Sequence, residues 1–187
     1  PTGNYVTISW SAVSGASRYN VYKMQGGVYG YIGRTEGTSL VDDNIAPALS
    51  ITPPIIDTDL SDYLKRPGAV SYYEQRRWFA GSLLYPQSLW ATNSGTEATL
   101  SYSLPLRDDN RINIRVAARE ANTIRHIVPL SQLVLLTSSA EWRVTSVNSD
   151  AITPSSISVM PQSYIRAGPA QPAIVKTTTL YPAPRAS

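Results

Sequence analysis

Apolar and polar positions alternate with period two along much of this chain, and the alternation predicts strands. Val6, Ile8 and Trp10 alternate with Thr7 and Ser9, which puts the apolar set on one strand face. Tyr19 and Val21 mark a second strand. Gly26-Gly27 marks a hairpin turn before a third at Val28–Gly33, and Thr38 to Asp43 begins a fourth. Further along, YYEQRRWFA (Tyr72 to Ala80) reads as one strand rich in aromatics and arginines, ended by Ala80-Gly81. SLWAT follows, closed by Asn93-Ser94-Gly95. Ile112, Ile114 and Val116 alternate with Asn113, Arg115 and Ala117, a half-buried strand. Leu133 to Leu136 is apolar on consecutive positions, so both faces of that strand need cover. LVLLTSSAEWRV (Leu133 to Val144) repeats the earlier order of apolar strand, small-residue turn and Trp-bearing strand. Trp78, Trp90 and Trp142 sit in apolar strands and are expected to be buried. Only VAAREAN, residues 116–122, has helical character, and it is too short to be stable alone.

Composition agrees with many short strands. Fourteen prolines, eleven glycines and twelve tyrosines favour strands and turns over long helices. A hydrophobic content of 42% supports a real core and argues against global disorder. With no cysteine the chain has no disulfide and no thiolate metal site, which fits assembly in a reducing cytosol. No apolar run approaches a membrane span, and no secretory signal is present. The chain begins at Pro1, and we expect a fragment of something longer. The net charge of +3 is mild. The arginines at 76, 77, 107, 111, 115, 119 and 125 interleave with acids, which favours a solvated or interface-pairing surface over a nucleic-acid footprint.

Three segments emerge. In residues 1–50, VTISWSAV, ASRYNVYK and YIGRTEGTSLVDD resemble the middle strands of a fibronectin type III domain. The resemblance implies that Trp10 packs on Tyr19. The last two strands of such a domain do not follow, so the segment is a partial sandwich. Residues 51–66, with ITPP near their start, read as a linker, and residues 67–187 as a second all-β region.

Candidate chemistry is sparse. His126, the only histidine, lies within a strand, where a hydrogen-bonded structural role is favoured over a metal or catalytic one. Asp42-Asp43 and Asp108-Asp109 are paired carboxylates able in principle to bind Ca²⁺ or move protons. Both pairs fall where turns are expected and lack EF-hand spacing, so turn stabilisation is the preferred role. Glu74, Arg76 and Arg77 share the predicted strand with Trp78 and Phe79, and the two arginines must face opposite ways. One is expected to stack on an aromatic or pair with Glu97 or Glu141. An internal Arg–carboxylate clamp is preferred over contact with DNA or another subunit. No GxSxG phrase is present, and Gly26–Gly33 (GGVYGYIG) is a hairpin with no helix behind it to hold phosphate. The expectation is therefore no catalytic residue, no metal site and no cofactor.

The second region carries a more specific likeness. YYEQRRWFAGS, YPQSLWATNSG, LRDDNRINIRVAAREANTIRHIVPL and LVLLTSSAEWRVTS resemble the tail nozzle, or tail hub, proteins of short-tailed bacteriophages, which often carry a fibronectin-like segment just upstream. The resemblance implies an incomplete β-propeller of about two blades over 67–187, with residues 162–181 beginning another. It implies a non-enzymatic virion protein, assembled in the host bacterial cytoplasm. Such a protein self-associates into a ring, contacts other tail and connector proteins, touches no membrane, and lets double-stranded DNA pass through its lumen without sequence-specific contact. Two alternatives stand beside it. One is a carbohydrate- or receptor-binding module using the Tyr-rich hairpin Val28–Ile32. The other is a glycoside hydrolase, which would need two carboxylates about 5–10 Å apart in a cleft.

Overall fold

Among the described residues the hydrophobic alternation becomes fourteen short strands. The computed structural model describes residues 4–117 and 122–184. Its strands are β1 (Val6–Ser9), β2 (Tyr19–Gln25), β3 (Val28–Thr35), β4 (Ser39–Asp42), β5 (Ala69–Tyr73), β6 (Arg76–Ala80) and β7 (Ser88–Ala91). They continue as β8 (Ile112–Arg115), β9 (Ile124–Pro129), β10 (Leu133–Thr137), β11 (Glu141–Ser146), β12 (Ile157–Ser163), β13 (Ala173–Val175) and β14 (Thr178–Leu180). There is no helix among the described residues, and the fold is all-β. The helical stretch expected at 116–122 falls mostly outside the described residues; Val116 and Ala117 have no regular structure.

Two compact units form. The first holds the described residues through Ile55 together with Ser103–Pro105. In it β1 pairs with β4 and β2 with β3, both antiparallel. Gly26 and Gly27 both have positive φ, which gives the two-residue turn whose twist suits a hairpin. Trp10 and Tyr19 meet edge to face, their centroids 5.4 Å apart. Few side chains are fully buried here, chiefly Ile32, Asp42 and Thr52, while Val6, Met24, Tyr29 and Val41 are exposed. Residues 51–55, from the expected linker, pack in this unit: Tyr31 N–H donates to Ile51 O at 3.0 Å, and Leu104 N–H to Thr52 Oγ1 at 3.0 Å.

The second unit holds Ile56–Tyr102 and the described residues from Leu106 on. It contains two four-stranded antiparallel sheets, ordered β5-β6-β7-β8 and β9-β10-β11-β12, in which each strand neighbours the next along the chain. The repeated Trp-bearing phrases form the central pairs, β6-β7 and β10-β11. Register fixes the faces. Ala91 and Ser71 oppose Trp78, and Ile114 opposes Leu89, so Trp78, Leu89, Ala91 and Ile112 share one face. Leu135 opposes Trp142 and Ile127, and Leu133 opposes Val144. These two faces join in a single core containing Trp78, Leu89, Ile112, Leu133, Leu135, Trp142 and Val144. Each large side chain removed from water here contributes about 1.5–3 kcal/mol. Trp78, Trp90 and Trp142 are 0%, 4% and 7% exposed.

The second face of β10 is covered too. Leu136 and Val134 pack with Val128, Leu130, Ala167 and Tyr181. The segment carrying the last two is pinned there: Ala167 N–H donates to Thr137 O at 2.9 Å, and the Tyr181 hydroxyl donates to Glu141. Burial, with the Glu141 carboxylate beside it, pushes the Tyr181 phenol above its ordinary pKa.

One element departs from expectation. YYEQRRWFA is two strands, with Glu74 and Gln75 forming a two-residue turn at φ 47° and 59°. Neither residue favours positive φ, so composition hides the turn. Its partners hold it: Ile152 N–H donates to the Glu74 carboxylate at 2.8 Å, and Gly95 N–H to Gln75 O at 2.9 Å.

Gly81 sits where the two sheets meet. Its φ is +59°, and a Cβ there would lie 2.2 Å from Ile124 O. Gly95 has φ +70° but open space around it. Gly81→Ala is expected to cost about 3 kcal/mol or more, left-handed strain plus a backbone clash. Gly95→Ala should cost only about 1–2 kcal/mol of left-handed strain. Urea denaturation of both variants checks this; equal losses would show that Gly81 is not a close-approach position.

Candidate functional site

Of the residues singled out by sequence, the structure brings Arg76 to the Asp108 backbone and Arg77 to Glu97. Arg76 opens β6 on the core side and is almost wholly buried. Its Nη1 donates to Thr92 O at 2.7 Å and to Asn110 O at 2.6 Å, and its Nη2 to Asp108 O at 2.5 Å. The expected Arg–carboxylate clamp between blades is not what Arg76 makes: it is an internal clamp whose acceptors are backbone carbonyls of its own sheet's β7–β8 excursion. A planar five-donor fork can close a loop by its backbone, and here it ties the excursion between β7 and β8 back to β6. Burial lowers the Arg76 pKa from its ordinary value, opposed by Asp109, Glu74 and Asp108. Arg77 faces the other way. Its Nη2 pairs with Glu97 at 2.6 Å, its Nε donates to the Tyr72 hydroxyl at 2.7 Å, and its guanidinium lies 5.0 Å from the Tyr72 ring centroid.

The remaining candidates are turn and packing groups. Asp42 accepts from Ile45 N–H at 2.9 Å and pairs with Lys23 at 2.8 Å, and the Lys23 hydrogen bond holds its carboxyl below the usual range. Asn110 N–H donates to Arg107 O at 3.1 Å, closing a turn around Asp108-Asp109, and Asp109 pairs with Arg107 at 3.2 Å. His126 Nε2 lies 3.1 Å from Gly168 O, on the face that the 164–182 segment covers. Among the described residues no group of three or more His, Asp or Glu is placed to hold a metal ion. No described helix is long and apolar enough to cross a membrane.

Sequence reasoning missed a cavity of about 260 Å³ on the outer face of the first four-stranded sheet. Register supplies one wall: Trp90 opposes Asn113, and Ser88 lies two residues before Trp90, so all three side chains face away from the core. Tyr85 meets Trp90 edge to face at 6.4 Å. The stretch 57–65 supplies the other wall with Asp57, Asp59 and Lys65. Asp57 pairs with buried Arg111, which also lies 4.8 Å from the Tyr102 ring centroid. Asp59 accepts from Ser61 Oγ at 2.6 Å and Ser61 N–H at 2.9 Å, and pairs with Lys65 at 3.4 Å. These bonds, Ser61 first, lower its pKa to about 2. The signal in the sequence was the alternation Ser88-Leu89-Trp90, whose polar-and-aromatic face is not the core face. The 57–65 wall carried no signal, because linker-like composition says nothing about where a loop packs.

In the first unit a shallower groove of about 460 Å³ is lined by Trp10, Tyr19, Tyr22, Tyr29 and Pro53. Tyr22 and Tyr31 meet edge to face at 5.9 Å and are half-buried, while Tyr29 is 49% exposed.

No protein-family profile matches the chain, and no curated protein matches it.

Two outcomes test this geometry. Arg76→Met leaves three carbonyls without their donor and is expected to cost on the order of 3–5 kcal/mol, whereas Arg77→Met on the other face should cost about 0–1 kcal/mol. Comparable losses in denaturant titrations would contradict the clamp. Asp59 has a lowered pKa, so its ionised contacts are complete above the ordinary value of 3.8 and are lost as pH falls through about 2. A carboxyl ¹³C titration should show that midpoint, and Ser61→Ala should move it upward. A midpoint at the ordinary value in the unaltered protein would refute the Ser61 contacts.

Proposed function

We propose that this chain is part of a structural virion protein of a short-tailed bacteriophage, a tail nozzle or hub, without catalysis. The observation that carries the proposal is the pair of successive four-stranded meanders with a Trp-bearing hairpin at the centre of each. Each meander has the strand number and the strand order of one propeller blade, and the two pack through one core. The long phrases that resemble nozzle proteins lie in these same meanders. β13 and β14, a two-stranded ribbon with mostly exposed side chains, are in keeping with the start of another blade. In the first unit, the thin core and the Trp10–Tyr19 contact are consistent with a fibronectin-like sandwich that lacks strands.

In this proposal the whole protein closes its propeller, assembles as a ring with other copies, and meets tail and connector proteins. Its lumen passes double-stranded DNA. A wall that reads no bases needs no base-contacting side chains. The absence of catalysis draws support from the outer-face cavity. Both of its carboxylates are ion-paired, and Asp59, ionised down to about pH 2, is a poor general acid at neutral pH.

A carbohydrate- or receptor-binding module is the second reading. Exposed Tyr29 beside the Trp10–Tyr19 groove favours it, whereas the half-buried Tyr22–Tyr31 pair belongs to packing.

Electron microscopy of the full-length protein tests the proposal. Rings with a central lumen are expected. Dispersed monomers at high concentration, with no rings when tail or connector proteins are added, would sink it.

A further inference from the structure

We infer that the cavity on the outer face of the β5–β8 sheet is a binding site for a neutral six-membered sugar ring, free or at the end of a glycan. The inference is independent of ring assembly.

Charge balance selects the ligand class. Asp59 is paired with Lys65 inside the wall, and Asp57 with buried Arg111, which does not itself line the cavity, so each carboxylate of the wall already has its cation. A phosphate finds no excess positive charge there, and a cation no excess negative charge. What the wall does offer is ionised oxygens already fixed in place, which are strong acceptors for hydroxyl donors. Opposite them, the Ser88 hydroxyl and the Asn113 amide have no intramolecular hydrogen bond among the described residues, and both line the cavity. An amide offers two donors and an acceptor, and a hydroxyl offers one donor. That set matches neighbouring hydroxyls on a ring.

The aromatic wall supplies the other half of the recognition. Tyr85 is partly exposed and is set at 78° to Trp90. An exposed ring edge and face next to polar groups suits a ligand with one C–H face and a rim of hydroxyls. The volume, about 260 Å³, falls just below the range of about 300–1,000 Å³ typical for drug-sized ligands. It accommodates one ring and excludes a longer chain from lying wholly inside. The wall is also preorganised: Asp59 is tied to Ser61 and Lys65, Asp57 to Arg111, and Tyr85 N–H to Ser82 Oγ at 2.9 Å. Little ordering remains to be paid on binding.

The test is a ¹H–¹⁵N NMR titration of the unaltered protein with D-glucose, D-galactose and N-acetylglucosamine, and with an oligosaccharide of the best of these. A single small ring held by a few hydrogen bonds is expected to bind with a Kd of roughly 1–10 mM. At least one sugar should give saturable shifts at the Trp90 indole and the Asn113 side-chain amide. Asn113→Ala and Tyr85→Ala should each weaken that binding about tenfold, which is ~1.4 kcal/mol. A tighter Kd for the oligosaccharide places the natural ligand at a glycan end; an equal Kd assigns the free sugar. The inference is overturned by any of three results: no saturable shift at these residues with any sugar, equal shifts with acyclic sorbitol, or saturation by inorganic phosphate or Ca²⁺ at the same residues. Because the decisive reading is made on the unaltered protein, a variant that fails to fold does not shield the inference.

Discussion

Two four-stranded sheets, each apolar on one face, bury those faces against each other, and most of the second unit follows from that contact. Trp78, Leu89 and Ile112 from one sheet meet Leu135, Trp142 and Val144 from the other. Neither sheet has a second apolar layer of comparable size. The outer face of the β5–β8 sheet leaves Val70 and Tyr72 exposed, and the outer face of the other sheet is closed by a small cluster around Leu136. A lone antiparallel sheet in water loses its main source of stability, so the pair stands or falls together. Gly81 is part of the same constraint, because the backbone of the first sheet can approach Ile124 O only where no Cβ intervenes.

The core dictates where polar devices are needed. β7 ends at Ala91, and the chain makes a long excursion before β8 returns at Ile112. That excursion has backbone carbonyls pointing into dry space, and buried carbonyls need donors. Arg76 supplies them from inside, at the same β6 position whose neighbour Arg77 serves the wet face. Two adjacent arginines thus do opposite work because strand alternation sends them to opposite faces. The cost of burying the guanidinium is offset by charge-assisted bonds to three carbonyls.

Much of this was legible in the residues. Alternation located most strands, consecutive leucines announced a strand covered on both faces, and the two Trp-bearing phrases marked the centres of the two sheets. The place of the solitary His126 within a strand, with a hydrogen-bond partner, was legible too. The Glu74-Gln75 turn was not, because its φ values are enforced by Ile152 and Gly95, which lie far away in sequence or beyond the strand. The outer-face cavity was hidden for a similar reason. Half of it is built by residues 57–65, whose position depends on Asp57 finding Arg111, a partner that no local pattern reveals. Likewise, a pairing of Arg76 with carbonyls cannot be told from a pairing with carboxylates until the loop's path is known.

The central physical claim is that the two four-stranded sheets form one cooperative body through their shared core. Native-state hydrogen exchange measured against low denaturant tests it directly, since cooperative units open together and independent ones do not. Amides in β6, β7, β10 and β11 are expected to converge on a single opening free energy equal to that of global unfolding. Two separate isotherms, with β6 and β7 opening while β10 and β11 stay protected, would contradict the account.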